Sequence, residues 1–210
     1  MTTPLIRIVD DDPLFRTSTA MLLNMKGWET KEYDSAARFL DEEDFRRPGC
    51  LILDVRMPGM SGLELQRKLE ENGNPLPVIF LTGHGDITMA VHAMRHGACD
   101  FLEKPVDIDV LSSSVKRFIA LSIEICGKRK DLEAIQRRIN SLTPREYEVI
   151  VLAARNLPNK RIGNELGIAE ATVKMHRANA FAKLEVNNPH DAFLLLQKAG
   201  VIKEEDNADE

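Results

Sequence analysis

The chain has 210 residues, 43% hydrophobic and 29% charged. That balance suits a folded protein of one large or two small domains and excludes a disordered one. No apolar run approaches membrane-spanning length, and Met1-Thr2-Thr3-Pro4-Leu5-Ile6-Arg7 lacks the basic head and apolar core of a secretory signal. A cytoplasmic protein without membrane contact is therefore expected. Cys50, Cys99 and Cys126 lie far apart, without metal-ligand spacing, and read as buried or free thiols in a reducing compartment. The net charge of −5 argues weakly against nucleic acid, but this average hides a basic segment near the C-terminus.

Leu5 to Val9 reads as a strand that stops at Asp10-Asp11-Asp12. Pro13 opens a helix that Gly27 ends. Trp28 to Tyr33 alternates like an edge strand, and Ser35 can cap the helix that follows. Leu51-Ile52-Leu53 is a buried strand stopped by Asp54, with a Pro58-Gly59 turn and an amphipathic helix after Gly62. Pro77 to Thr82 is a further buried strand. Gly83 to Asp86 reads as a turn and Ile87 to Arg95 as a helix. Ala98 to Glu103 is the last strand, closed by Lys104-Pro105. Five β-then-α repeats predict a doubly wound, five-stranded parallel sheet in the order 2-1-3-4-5.

From Asp107 the pattern changes. Leu111, Phe118, Leu121, Ile125, Leu132, Ile135, Ile139 and Leu142 keep a heptad frame whose two gaps are Ser114 and Lys128. A helix over roughly 107–141 follows. It either pairs in a coiled coil or folds back on its own domain. Thr143-Pro144-Arg145-Glu146 starts a helix with a capping box, and Leu157-Pro158 breaks it. Asn159 is expected to cap a second helix that ends at Gly167. A third runs from about Glu170 to Leu184, and a fourth from Asn188 to Gly200. Four short helices with a Gly-centred turn point to a helix-turn-helix. The expected domains are 1–120, a linker at 121–141, a helical domain at 142–202 and a disordered acidic tail at 203–210.

The predicted sheet brings Asp10, Asp11, Asp54, Thr82 and Lys104 to the C-terminal end of its strands, where open α/β sheets bind ligands. Clustered carboxylates need a counter-charge, and hard oxygen ligands suit an octahedral Mg2+ (or Mn2+). Lys104 adds a point charge and Thr82 a hydroxyl for a phosphoryl oxygen. With Asp10 and Asp11 on the metal, Asp54 remains as nucleophile or acceptor. A phosphatase of the dehalogenase class would carry a second Asp two residues after the acceptor. Arg56 stands there and no cap domain is visible, so turnover of a small substrate is disfavoured and the chain is not expected to be an enzyme.

At these residues positions 1–120 resemble the receiver domain of a two-component response regulator, with a flavodoxin-like (CheY-like) fold. The carrying residues are the Asp10-Asp11 pair, Asp54 before Met57-Pro58-Gly59-Met60-Ser61-Gly62, Thr82 and Lys104-Pro105. The resemblance implies Mg2+-dependent phosphoryl transfer from a sensor histidine kinase to Asp54. It also implies metal bound directly by Asp11, Asp54 and the Arg56 carbonyl, with Asp10 acting through water. Thr82 and Phe101 resemble the family's switch pair, with Phe where Tyr is frequent. Arg56 and His84 stand at the positions that tune phosphate lifetime.

Between Lys160 and Lys183 there are five cations against two carboxylates, an excess of positive charge in an acidic chain. Lys174, Arg177 and Ala178 share a face of the third helix, and the small Ala178 allows close approach to base edges. This region resembles the LuxR-type helix-turn-helix through Leu142 to Glu146, Asn159 to Ile162, Leu166-Gly167-Ile168, Thr172 to Asn179 and Lys183-Leu184. With the receiver, nearly the whole chain is similar to the FixJ/NarL family of transcriptional regulators, on its FixJ-like branch. By that resemblance Lys174, Met175 and Ala178 face bases, and Lys160, Thr172, Arg177 and Lys183 lie near phosphates. The implied partners are double-stranded DNA, RNA polymerase and a second copy of the chain on phosphorylation. Two alternatives stay open: DNA binding independent of phosphate, and an output through protein binding.

Overall fold

Five short segments, three of them rich in Val, Ile and Leu, pair into one parallel sheet in the computed structural model, which describes residues 3–74, 76–83 and 100–203. The strands are β1 (Leu5–Val9), β2 (Glu29–Tyr33), β3 (Gly49–Asp54), β4 (Val78–Thr82) and β5 (Asp100–Glu103). Their order is β2-β1-β3-β4-β5, as the repeat pattern predicts, and every pairing is parallel. The helices are α1 (Pro13–Met25), α2 (Ala36–Glu42), α3 (Gly62–Glu71), α4 (Ile108–Asn140), α5 (Pro144–Ala154), α6 (Asn159–Leu166), α7 (Glu170–Leu184) and α8 (Pro189–Lys198). The expected helix at Ile87–Arg95 lies outside the described residues. So do His84 to Asp86 of the expected turn, Ala98 and Cys99 of the expected strand, Pro75 and the tail from Glu204.

The central strands read as continuous apolar runs because both faces are covered. Alternate residues serve opposite layers. Val9, Leu51, Leu53 and Phe80 pack with Phe39 of α2 and Leu65 and Leu69 of α3. Ile6, Ile8, Ile52, Ile79 and Leu81 pack with Leu23 of α1 and Leu111, Val115 and Phe118 of α4. Each such side chain contributes about 1.5–3 kcal/mol when fully buried. The helices that carry these layers are capped by short-range chemistry. Asp12 accepts from the amides of Leu14 and Phe15, and Ser61 and Glu64 form a capping box at the start of α3. Capping boxes satisfy two amides that a helix start leaves without partners.

A charged residue interrupts this core. Arg7 is fully buried in β1. Its Nε donates to Glu43 Oε1 (2.8 Å), and its guanidinium also donates to the carbonyls of Leu5, Asp44 and Arg47. Glu43 in turn accepts from the Tyr33 hydroxyl. Burial, and then the Glu43 carboxylate, push that phenol's pKa well above the ordinary tyrosine value. The network ties β1, β2 and the loop after α2 into one piece.

The chain divides into two compact units between Gly127 and Lys128, inside α4. The heptad frame describes only part of this helix. In the first unit it buries Leu111, Val115, Phe118 and Ile119, so it folds back on its own sheet. In the second unit Ile135, Ile139 and Leu142 join the core of the C-terminal helices. Leu121 and Leu132 are 39% and 42% exposed. Among the described residues no helix is long and apolar enough to cross a membrane.

In the second unit Thr143 and Glu146 form the expected capping box on α5, and Gly167 ends α6 with φ +66°. One expected cap is different. The N-cap of α6 is Pro158, without a side-chain bond, and Asn159 is the first helical residue. Its Oδ1 is engaged instead by the Arg177 guanidinium at 3.0 Å. Helix α7 starts from Ala169, also without a side-chain cap. An Ala169→Ser exchange is therefore expected to stabilise the domain by about 1 kcal/mol, read as a higher midpoint in thermal unfolding.

Candidate functional site

Asp10 directly follows β1, Asp54 and Thr82 are the last residues of β3 and β4, and Lys104 directly follows β5. Parallel pairing of strands that stop in step brings all four to one end of the sheet. The Thr82 carbonyl accepts from the Lys104 amide at 2.7 Å, which fixes the base of the lysine. The Lys104 ammonium then bridges two carboxylates, 2.6 Å from Asp10 Oδ2 and 2.7 Å from Asp54 Oδ1. Asp10 and Asp54 are nearly buried, at 2% and 7% exposure, so their charges act with little screening from water. Burial pushes the Asp10 carboxyl up, against the pull of Lys104. Burial alone would lower the lysine, but its hydrogen bonds to Asp10 and Asp54 win and hold it up, fully charged.

Each carboxylate also has a backbone partner. The Asp12 amide donates to Asp10 Oδ1 at 2.9 Å, and the Arg56 amide to Asp54 Oδ2 at 2.8 Å. Two side chains of α1 border the pocket. The Phe15 ring lies 4.1 Å from the Lys104 nitrogen, in cation–π geometry. The Arg16 guanidinium donates to the Asp10 carbonyl at 2.6 Å. Neither is legible in the sequence as a site residue, because Phe15 fits the core stripe of α1 and Arg16 reads as a surface cation. Gly62 is required by close approach, since a Cβ there would lie 2.1 Å from the Asp54 carbonyl oxygen.

Not every predicted residue joins this grip. Asp11 is exposed, and among the described residues no three acidic, His or Cys side chains converge as a metal cage. Phe101 is half-buried, its ring 6.1 Å from that of buried Phe80. His84 lies outside the described residues.

Helix α7 has a buried side, Val173, Ala180 and Leu184, and an outer side on which Lys174, Met175 and Ala178 are exposed. Met175 is 51% exposed. Lys174 pairs with Glu170 of its own helix, at 3.2 Å on the surface. Thr172 is half-buried at the start of α7 and Lys160 is exposed on α6. Arg177 turns inward, to Asn159 and over the Phe181 ring. Lys183 bonds Glu146 and the Ser141 carbonyl. The predicted set is thus split between outward-facing and internally engaged side chains.

Comparison with known proteins gives each half a family. Residues 6–116 match the response regulator receiver domain, and residues 140–196 match the bacterial regulatory proteins of the luxR family. The chain is 39% identical over 202 residues to the transcriptional regulatory protein FixJ of Azorhizobium caulinodans, covering 96% of this chain and 95% of that one. The chain belongs to the FixJ/NarL family of two-component response regulators. It is also 40% identical to the response regulator protein TmoT of Ectopseudomonas mendocina, over 89% of this chain and 84% of that one. Among solved structures, response regulator StyR matches with a TM-score of 0.85 and 41% identity, covering 93% of this chain and 99% of that one. Full-length FixJ from B. japonicum matches with a TM-score of 0.56 and 35% identity, covering 97% and 100%.

Membership of the FixJ/NarL family makes the chain a response regulator with a LuxR-type DNA-binding domain, a transcription regulator and not a turnover enzyme. Receiver domains generally use Mg2+. The pocket fits such an ion. Asp10 and Asp54 already face one cation, Lys104, and a Mg2+ site needs only one or two carboxylates, with water for most of its shell.

Proposed function

We propose that the chain accepts a phosphoryl group on Asp54 from the phosphohistidine of a sensor histidine kinase, and that this controls dimerisation and sequence-specific DNA binding. The observation that carries the reading is the Lys104 ammonium, 2.7 Å from Asp54 Oδ1 and 2.6 Å from Asp10 Oδ2 at the end of the sheet. An oxygen of Asp54 attacks phosphorus. The P–N bond to the kinase histidine breaks, a P–O bond forms, and the imidazole leaves and takes up a proton. The Arg56 amide on Oδ2 fixes the carboxylate plane beforehand, which reduces the ordering cost of the step. A Mg2+ (or Mn2+) held by Asp10, Asp11, Asp54 and the Arg56 carbonyl would offset charge on the incoming group.

Roughly two negative charges then arrive at a nearly dry pocket. Lys104 shifts its bonds toward them, the Thr82 hydroxyl approaches a phosphoryl oxygen, and the half-buried Phe101 ring follows it inward. Lys174, Met175 and Ala178 meet base edges, while Lys160, Thr172 and Arg177 lie near phosphates. The remaining partners in this reading are RNA polymerase and a second copy of the chain, and the setting is the cytoplasm.

Fragments of genomic DNA retained by the full chain, with and without a small phosphodonor and Mg2+, test the reading. Donor-dependent enrichment of a common sequence supports it, and identical pools contradict phosphate control. Phe15 supplies a finer check. Phe15→Leu keeps the apolar bulk but loses about 0.5–1 kcal/mol of cation–π hold on Lys104, and slows phosphoryl gain from the donor several-fold, followed by intact mass.

A further inference from the structure

Lys183 occupies the last turn of α7, where a basic residue would usually be read as a phosphate contact. Its surroundings argue otherwise. The ammonium donates to Glu146 Oε2 at 2.6 Å and to the Ser141 carbonyl at 3.2 Å. Glu146 is a buried carboxylate, 4% exposed. The same Oε2 accepts from the Thr143 amide at 2.8 Å as part of the α5 capping box. Lys183, and then the Thr143 amide, hold the Glu146 carboxyl below the ordinary glutamate range. To reach DNA, Lys183 would have to abandon a buried charge, which is strongly unfavourable. Ser141 follows directly on α4, so its carbonyl lies at the negative pole of that helix, where a cation is favoured.

Two further contacts join the same places. Arg138, near the end of α4, pairs with Glu185 at the end of α7 at 2.6 Å. Ile139 packs with Ala180 and Leu184 between them. We propose that Lys183 is a positioning residue. Through Glu146 it clamps the C-terminal end of the recognition helix α7 to the corner where α4 passes into α5, and so sets the pitch at which Lys174, Met175 and Ala178 are presented. The end of α4 and the recognition helix then move as one piece.

This inference rests on the DNA-binding reading above. Its test uses the full chain on a duplex retained by the unaltered protein, with affinity followed against salt concentration. If Lys183 touched a DNA phosphate, Lys183→Met would lower the salt slope by about one, because one fewer counterion would be released. A positioning residue weakens binding without that change. The expected result is roughly tenfold weaker binding for both Lys183→Met and Glu146→Gln, with the original slope. The double variant is no weaker than the singles. A slope reduced by about one in Lys183→Met, with Glu146→Gln unaffected, overturns the proposal. Thermal unfolding of the parent, the two singles and their double reports the pair without DNA. Non-additive loss supports the clamp, and additive loss overturns it. Failure of the unaltered chain to hold any duplex overturns the DNA reading itself and leaves the unfolding result to judge the pair.

Discussion

Asp54→Asn is expected to take up no phosphoryl group and to lose every donor-dependent change in DNA binding. The amide presents no anionic oxygen to phosphorus at the position that faces the Lys104 ammonium. The loss is specific to the response, because the fold does not depend on the charge at residue 54. In the unaltered chain two carboxylates share one ammonium, and removing one relieves like-charge repulsion. The variant should therefore unfold at the same temperature as the parent or higher. Duplex affinity without donor should match the parent's. A large drop in stability would mean that Asp54 holds the sheet together instead of serving the pocket.

The second large effect is expected far from this pocket. Arg7→Met destabilises the receiver by about 3–5 kcal/mol, a large share of the roughly 5–15 kcal/mol that holds a typical domain. The substitution keeps an apolar stem in β1 but removes the donors that serve Glu43 and the carbonyls of Leu5, Asp44 and Arg47. Glu43, with 2% of its side chain exposed, is then left as a buried carboxylate beside the Tyr33 hydroxyl and the more distant Lys31. Adding Glu43→Gln removes the stranded charge, and the double variant is expected to recover part of the loss. Urea unfolding of the two singles and the double measures both effects. If Arg7→Met unfolds like the parent, the network carries no weight in the fold.

These two cases mark what a sequence does and does not disclose. The buried strands and the position of Asp54 are legible because their signals are local, an apolar run, a carboxylate that stops it and a turn. The same holds for the capping box at Thr143 and Glu146 and for the positive φ of Gly167. Arg7 is different, because three of its four partners lie 36 to 40 residues away in the chain. Its local sign is a cation inside an otherwise apolar strand. Phe15 matches the core stripe of α1, and nothing in that stripe discloses that its ring faces the ammonium of Lys104. Asn159 reads as a cap because Asn favours that role, but Pro158 holds the extended backbone there and the amide is free to meet Arg177. The heptad frame of α4 misses Val115, Ile119 and Ser122, all buried, because its first half packs on a sheet and not on a second helix.

The central claim is that one carboxylate, Asp54, is the atom group that receives the signal. Peptide-level mass spectrometry of the full chain after brief exposure to a small phosphodonor and Mg2+ tests it most directly. A single base-labile phosphoryl group is predicted on the peptide that contains Asp54, and none in the Asp54→Asn variant. A phosphoryl group mapped to any other residue, or present at equal level in that variant, would contradict it.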